Sequence, residues 1–212
     1  MDGTLVDTEP AWNAAQHQLV GAHGGSWSDE HAANLVGNSL LETGEYIKVH
    51  GNVPLTAAEI VDALVEELIA HLKREISWRP GALDLLADLR RHGVPCALVT
   101  MSYRRMADVV VSALPPETFA ATVVGDEIAN GKPHPEPYLT AARQLGVAPA
   151  ECVVIEDSNT GARSGLAAGA RVVAVPNIVP IDVPGVTLVP SLAGLDADWL
   201  AVEAELRRNG TA

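Results

Sequence analysis

Three short stretches of this chain carry side chains suited to phosphate or cation chemistry. Thr100, Met101 and Ser102 follow the apolar run Ala97-Leu98-Val99. Two hydroxyls with free backbone amides at a helix start can cradle an anion, because helix N-termini offer unpaired donors and a positive dipole end. The same residues also serve as plain helix caps. Glu156 and Asp157 follow Val153-Val154-Ile155. Two adjacent carboxylates at the mouth of a buried strand suit a hard cation such as Mg2+, which takes oxygen ligands and keeps waters for a substrate. The alternative is that Asp157 or Ser158 caps the next helix. Lys132 sits in Asn130-Gly131-Lys132-Pro133-His134-Pro135, a stiff loop that can aim its ammonium at a phosphate as a point charge. A solvated loop lysine is the plain alternative, but lysine is scarce here, with Lys48, Lys73 and Lys132 the only three. Asp2-Gly3, taken alone, reads as a turn.

These residues need elements to hold them. From about Thr8 to Ser77 the pattern is helical almost throughout. Thr8 is placed to cap a helix running to about Ala22, a short helix follows near Asp29–Leu35, and another runs from about Ser39 to Val49. Thr56-Ala57-Ala58-Glu59 is a capping box. Behind it Ile60, Leu64, Leu68 and Leu72 recur every four residues beside Val61, Val65 and Ile69, one broad apolar stripe. From Pro80 onward, short apolar strands at about Val94–Val99, Thr122–Val124, Cys152–Ile155, Arg171–Val175 and Val186–Val189 alternate with amphipathic helices. That alternation predicts an α/β fold with a Rossmann-like parallel sheet covered on both faces, carrying a helical insert near its start. In such sheets ligands bind outside the carboxyl ends of the strands, where Thr100 and Glu156 fall.

Composition narrows the function classes. The chain has 212 residues, 48% hydrophobic and 19% charged, with a formal net charge of −13. This is an ordinary globular composition, and the acidic balance excludes general affinity for nucleic acid or anionic membrane. No apolar run approaches the roughly 18 residues of a spanning helix, and no secretory signal is visible, so a cytoplasmic protein is expected. Cys96 and Cys152 lie inside apolar runs and read as buried reduced thiols. Five of the seven histidines fall in the helical stretch without metal-ligand spacing. Nucleophile-elbow, Walker and dinucleotide fingerprints are absent.

Read together, Asp2-Gly3-Thr4-Leu5-Val6-Asp7-Thr8, Leu98-Val99-Thr100, Gly131-Lys132-Pro133-His134-Pro135 and Val154-Ile155-Glu156-Asp157-Ser158 with Gly161 resemble, in order, the four motifs of the haloacid dehalogenase-like hydrolase (HAD) superfamily. The subgroup resembled has a helical cap and contains beta-phosphoglucomutase and small sugar-phosphate phosphatases. The resemblance implies a core of residues 1–9 and 79–212 with a cap of residues 10–78. It implies that Asp2 protonates the leaving alcohol and then deprotonates the hydrolytic water, that Thr100 hydrogen-bonds the phosphoryl oxygens with Met101 and Ser102 beside it, and that Lys132 neutralises their charge. Glu156, Asp157 and the Asp2 backbone carbonyl would hold Mg2+. The cap would close over a small phosphorylated metabolite, with Gly37, Asn38 and Ser39 on the substrate side. A monomer is expected.

Two departures from the family pattern shape the expected function. The family motif is D-x-D-G-T, whose first aspartate attacks phosphorus, and here Met1 occupies the x. The nucleophile and its strand are therefore expected to lie upstream of Met1. Without that strand, the edges of its two neighbours would be unpaired and apolar side chains uncovered. In the cap, Leu40 stands where a mutase would have a phosphate-binding arginine, Trp12 where it has a histidine, and no lysine near Asp62 supplies a second anchor. Simple hydrolysis of a sugar or polyol phosphate is thus expected ahead of a hexose-phosphate mutase. A truncated chain that binds a phosphate or a partner without turnover is the non-enzymatic alternative.

Overall fold

The computed structural model describes residues 1–35 and 39–206, so Gly37 and Asn38 lie outside the described residues. The first part of the chain is helical: α1 (Glu9–Ala22), α2 (Asp29–Ala33), α3 (Leu40–His50) and α4 (Ala57–Arg74). The capping box that starts α4 forms, with the Thr56 amide donating to Glu59 Oε2 at 2.8 Å and the Glu59 amide to Thr56 Oγ1 at 3.3 Å. The expected stripe of α4 is buried from Ile60 to Leu72. It packs against α3 at Gly44, where an added Cβ would lie 2.5 Å from the Ala57 carbonyl oxygen. Thr8 departs from expectation. It precedes α1, but its hydroxyl does not cap that helix and is committed to Asp2 instead.

From Pro80 the α/β alternation appears as read. Its elements are α5 (Ala82–Arg91), β1 (Ala97–Val99), α6 (Arg104–Ser112), β2 (Ala121–Val123), α7 (Glu136–Leu145), β3 (Val153–Glu156), α8 (Asn159–Ala167), β4 (Arg171–Ala174), β5 (Thr187–Leu188) and α9 (Ala197–Leu206). All strand pairs are parallel: β1 with β2, and β4 with both β3 and β5. Strand β1 is shorter than expected because the Val94 amide closes the end of α5 on the Leu89 carbonyl and Pro95 has no amide to give. No helix among the described residues is long and apolar enough to cross a membrane.

Strands β1 and β3 do not pair with each other, so the sheet is in two pieces. Between them runs an apolar slot of about 450 Å3, lined by Leu98 and Val99 of one edge, Val153 and Val154 of the other, and residues of α5, α7 and α9. Cys96 and Cys152 also line it. They are free and half-buried rather than buried, because the strand edges on which they sit lack a neighbour there.

The helical block is held over the sheet in two ways. Its entry and exit run side by side as an antiparallel ribbon, with the Asp7 amide on the Ser77 carbonyl and the Arg79 amide on the Leu5 carbonyl, each at 2.8 Å. Helix α4 then shares one buried cluster with Met106, Ala107 and Val110 of α6. Each fully buried Leu or Ile contributes about 1.5–3 kcal/mol. The neighbouring ion pairs of Arg105 with Asp62 and Glu66 are two-thirds exposed on the acid side and belong to a class worth about 0–1 kcal/mol. Apolar packing, not charge, fixes the block.

Candidate active site

The carboxyl ends of β1 and β3 and the first turn of the chain converge on a cavity of about 160 Å3, closed from the far side by α1 and α3. Asp2, Thr100, Met101, Ser102, Lys132, Glu156 and Asp157 all line it. Ser39 does not: its hydroxyl accepts from the Glu42 amide and caps α3, while the adjacent Leu40 reaches the cavity.

Asp2 is held by three donors. The Thr8 hydroxyl donates to Oδ1 at 2.7 Å, the Ser102 hydroxyl to Oδ2 at 2.6 Å, and the Trp12 indole N–H lies 3.5 Å from Oδ1. Thr100 accepts from the Ser102 amide at 3.1 Å, which shapes the loop after β1. Helix α6 starts later, after Tyr103 and without a side-chain cap, so the capping alternative for Thr100 and Ser102 does not hold. The Lys132 loop docks on the same loop, its amide 3.5 Å from Met101 Sδ.

Lys132 and Glu156 form a buried pair, Nζ to Oε1 at 2.5 Å, with a second bond from Nζ to the Val99 carbonyl at 3.1 Å. Tyr138 donates to the same Oε1 at 2.5 Å, and its ring centroid lies 4.9 Å from Nζ. Ser158 donates to Oε2 at 3.1 Å while accepting from the Gly161 amide at 3.0 Å, so Ser158 is the cap of α8 and Asp157 is not. Gly161 is required by this crowding: a Cβ there would sit 2.0 Å from the Glu156 carboxyl carbon. Gly3, at φ +68°, does the same for Asp157, whose Oδ2 would lie 2.0 Å from a Cβ. The Thr4 hydroxyl donates to Asp157 Oδ1 at 2.6 Å.

The electrostatics follow from burial and neighbours. Burial alone would raise the Glu156 carboxyl, but the Lys132 ammonium and the bonds from Lys132 and Tyr138 outweigh it and hold it below the usual range. Asp157 has no such cation of its own, and burial with the Glu156 charge pushes it up to about 6. Burial pushes Glu9, at the start of α1, up to about 7, with Asp2, Asp157 and Asp7 adding to the effect. The site therefore carries surplus negative charge near Asp157. Among the described residues, no three His, Cys, Asp or Glu side chains converge as a metal cage. The carboxylates of Glu156 and Asp157 that line the cavity are hard oxygen donors, the kind that suits Mg2+, an ion that keeps several waters.

Sequence assigns no site role to Thr4, Tyr138 or Glu9, and gives Thr8 only the role of a helix cap. Thr8 has a local signal, a hydroxyl six residues from Asp2 at the end of the first motif. Tyr138 and Thr4 have none, because their partners are distant in sequence.

A two-piece parallel sheet with a polar pocket at its strand ends, roofed by inserted helices, makes an α/β core whose pocket carries both acidic and basic groups. The chain belongs to the haloacid dehalogenase-like hydrolases, the family model matching residues 1–175. It is 36% identical over 187 residues to hexitol phosphatase A of Escherichia coli, covering 87% of this chain and 83% of that protein. It is 33% identical over 180 residues to the bifunctional riboflavin kinase/FMN phosphatase of Arabidopsis thaliana, covering 84% of this chain and 47% of that longer protein. Among solved structures, CbbY of Rhodobacter sphaeroides in complex with phosphate superposes with a TM-score of 0.85 at 30% identity, covering 95% and 96% of the two chains. A variant of the same protein with xylulose 1,5-bisphosphate gives 0.84 at 29% identity, covering 92% and 93%.

Proposed function

We propose that this chain forms the binding and acid–base machinery of a Mg2+-dependent phosphatase that hydrolyses a small sugar or polyol phosphate through an aspartyl-phosphate. The observation that carries the reading is the convergence of Asp2, Thr100, Lys132, Glu156 and Asp157 on one cavity. In the first step an aspartate carboxylate forms a bond to phosphorus as the ester P–O bond breaks, and Asp2 gives its proton to the departing alkoxide. In the second, water attacks phosphorus, Asp2 takes its proton, and the aspartyl P–O bond breaks. Thr8 and Ser102 hold both Asp2 oxygens in place throughout. Thr100 and Lys132 receive the phosphoryl oxygens, the electrostatic work that dominates phosphoryl transfer. Glu156, Asp157 and the Asp2 carbonyl would hold Mg2+, which supplies charge neutralisation on the phosphoryl group. The helical block would act as a cap that excludes water.

The attacking aspartate is proposed to stand immediately ahead of Met1, at the end of a strand that fills the slot between β1 and β3. The apolar slot supports this.

A hexose-phosphate mutase must grip a bisphosphate by both ends, and among the described residues the cavity wall opposite Lys132 offers no lysine or arginine. Hydrolysis is therefore preferred. The setting proposed is a cytoplasmic monomer, with neither nucleic acid nor membrane as partner, in keeping with a formal charge of −13. Phosphate release from a panel of sugar and polyol phosphates tests the reading. From the chain extended upstream of Met1, release is expected with Mg2+, none with EDTA, and none after Asp2→Asn. Isomerisation without release would favour the mutase.

A further inference from the structure

The cavity has two unlike ends, of which only one carries a cation among the described residues. At the strand ends lie the cation Lys132, the hydroxyls of Thr100 and Ser102 and the carboxylates of Asp2, Glu156 and Asp157; across from them, the helical block contributes Glu9, Trp12, Gln16 and Thr43 and no cation. No lysine or arginine occurs anywhere between Met1 and Ile47, so the segments that build this far wall have no strong cation to offer. Its charged group is Glu9, whose carboxylate has no hydrogen bond or ion pair among the described residues. Gln16 gives its Oε1 to the Trp27 indole N–H at 3.1 Å, which leaves its NH2 as a donor. Trp12 presents a flat apolar ring, tied toward Asp2 by its N–H.

An unpartnered carboxylate in a small cavity does two things to a ligand. It accepts charge-assisted hydrogen bonds from hydroxyls, which are stronger than neutral ones. It also repels a second anion, by on the order of tenfold in affinity or more for like charges a few ångströms apart at a protein-like dielectric. Attraction for one ligand end and repulsion of another together make specificity.

We propose that Glu9 selects the non-phosphate end of the substrate, admitting an uncharged, hydroxyl-rich chain and rejecting esters that carry a second phosphate or a carboxylate. The proposal rests on the phosphomonoester reading above and narrows it to polyol or neutral-sugar monophosphates. The upward shift of the Glu9 carboxyl, due first to burial and then to Asp2, Asp157 and Asp7, agrees with a group that faces no cation.

A matched ligand pair tests it. Sorbitol 6-phosphate and 6-phosphogluconate share a six-carbon chain and differ at the far end, where a CH2OH faces a carboxylate. Dissociation constants are measured by calorimetry at pH 8 with Mg2+, using inorganic phosphate as the reference ligand. The 212-residue chain is expected to bind the sorbitol ester at least about tenfold tighter than the gluconate. Glu9→Gln should shrink that ratio below about threefold, and Glu9→Lys should invert it. An unchanged ratio in Glu9→Gln, or no discrimination in the parent chain, overturns the role of Glu9 while leaving phosphate binding intact. If inorganic phosphate and both esters fail to bind, the phosphomonoester reading itself falls.

Discussion

The ammonium of Lys132 and the carboxylate of Glu156 face each other at 2.5 Å, with side chains 9% and 5% exposed, 24 positions apart in sequence. Neither charge has water to fall back on, and Tyr138 and Ser158 complete the carboxylate's hydrogen bonds. Removing one partner of such a buried pair strands the other and costs about 3–5 kcal/mol. Lys132→Met should therefore lower the melting temperature by roughly 10 °C in a protein of this size. Adding Glu156→Gln to it should recover part of the loss. A shift under about 2 °C for the single variant would contradict the buried pairing.

Two glycine-to-alanine changes on helices should act in opposite directions. At Gly161 the new methyl would meet a Glu156 carboxylate that Lys132, Tyr138 and Ser158 hold in place. Overpacking of this kind costs about 1–3 kcal/mol. At Gly21, on α1, nothing lies within 4 Å of the added Cβ, so alanine should stabilise by roughly 0.5–1 kcal/mol through helix propensity alone. Thermal denaturation of both variants checks the contrast.

Glu9 predicts a pH-dependent gain. Its carboxyl is raised to about 7 from 4.5 by burial and by neighbouring acids. The folded state thus binds more protons than the unfolded state between those values. Stability from this group is full below about pH 4.5 and is lost as pH rises through about 7. Glu9→Gln should leave the melting temperature unchanged near pH 4 and raise it by about 2–4 °C at pH 8, per kcal/mol recovered. A gain at low pH only would contradict the assigned sign.

The seating of the helical block should depend on α4 packing far more than on its ion pairs. Leu68 is fully buried in the cluster that joins α4 to α6, and Leu68→Ala should cost about 2–5 kcal/mol. Arg105→Ala removes the pairs with Asp62 and Glu66 on the exposed side and should cost under about 1 kcal/mol, less in high salt. Chemical denaturation of the two variants, with and without added salt, separates the contributions.

Local pattern made much of this legible in sequence. The α4 stripe and its Thr56 capping box need only a period and a four-residue motif, and the strand ends that carry Thr100 and Glu156 follow from short apolar runs. Lys132 stood out because its loop is stiff and lysine is rare. What stayed hidden depends on long-range partners. Tyr138 reads as one more apolar face of α7 until Glu156 is placed beside it, and Thr4 as a turn residue until Asp157 arrives from 153 positions away. A threonine at the position of Thr8 usually caps the helix that follows, and here Asp2 is the competing acceptor. The apolar runs around the cysteines predict burial, yet their exposure is decided by the slot beside β1 and β3.

The most direct test of the account is phosphate release from sorbitol 6-phosphate in Mg2+, comparing the 212-residue chain with a version extended through the in-frame residues upstream of Met1. Release is expected from the extended chain alone, abolished by Asp2→Asn and by EDTA. Equal release by the 212-residue chain would contradict the upstream nucleophile. No release by the extended chain from any sugar or polyol phosphate would contradict the phosphatase reading as a whole.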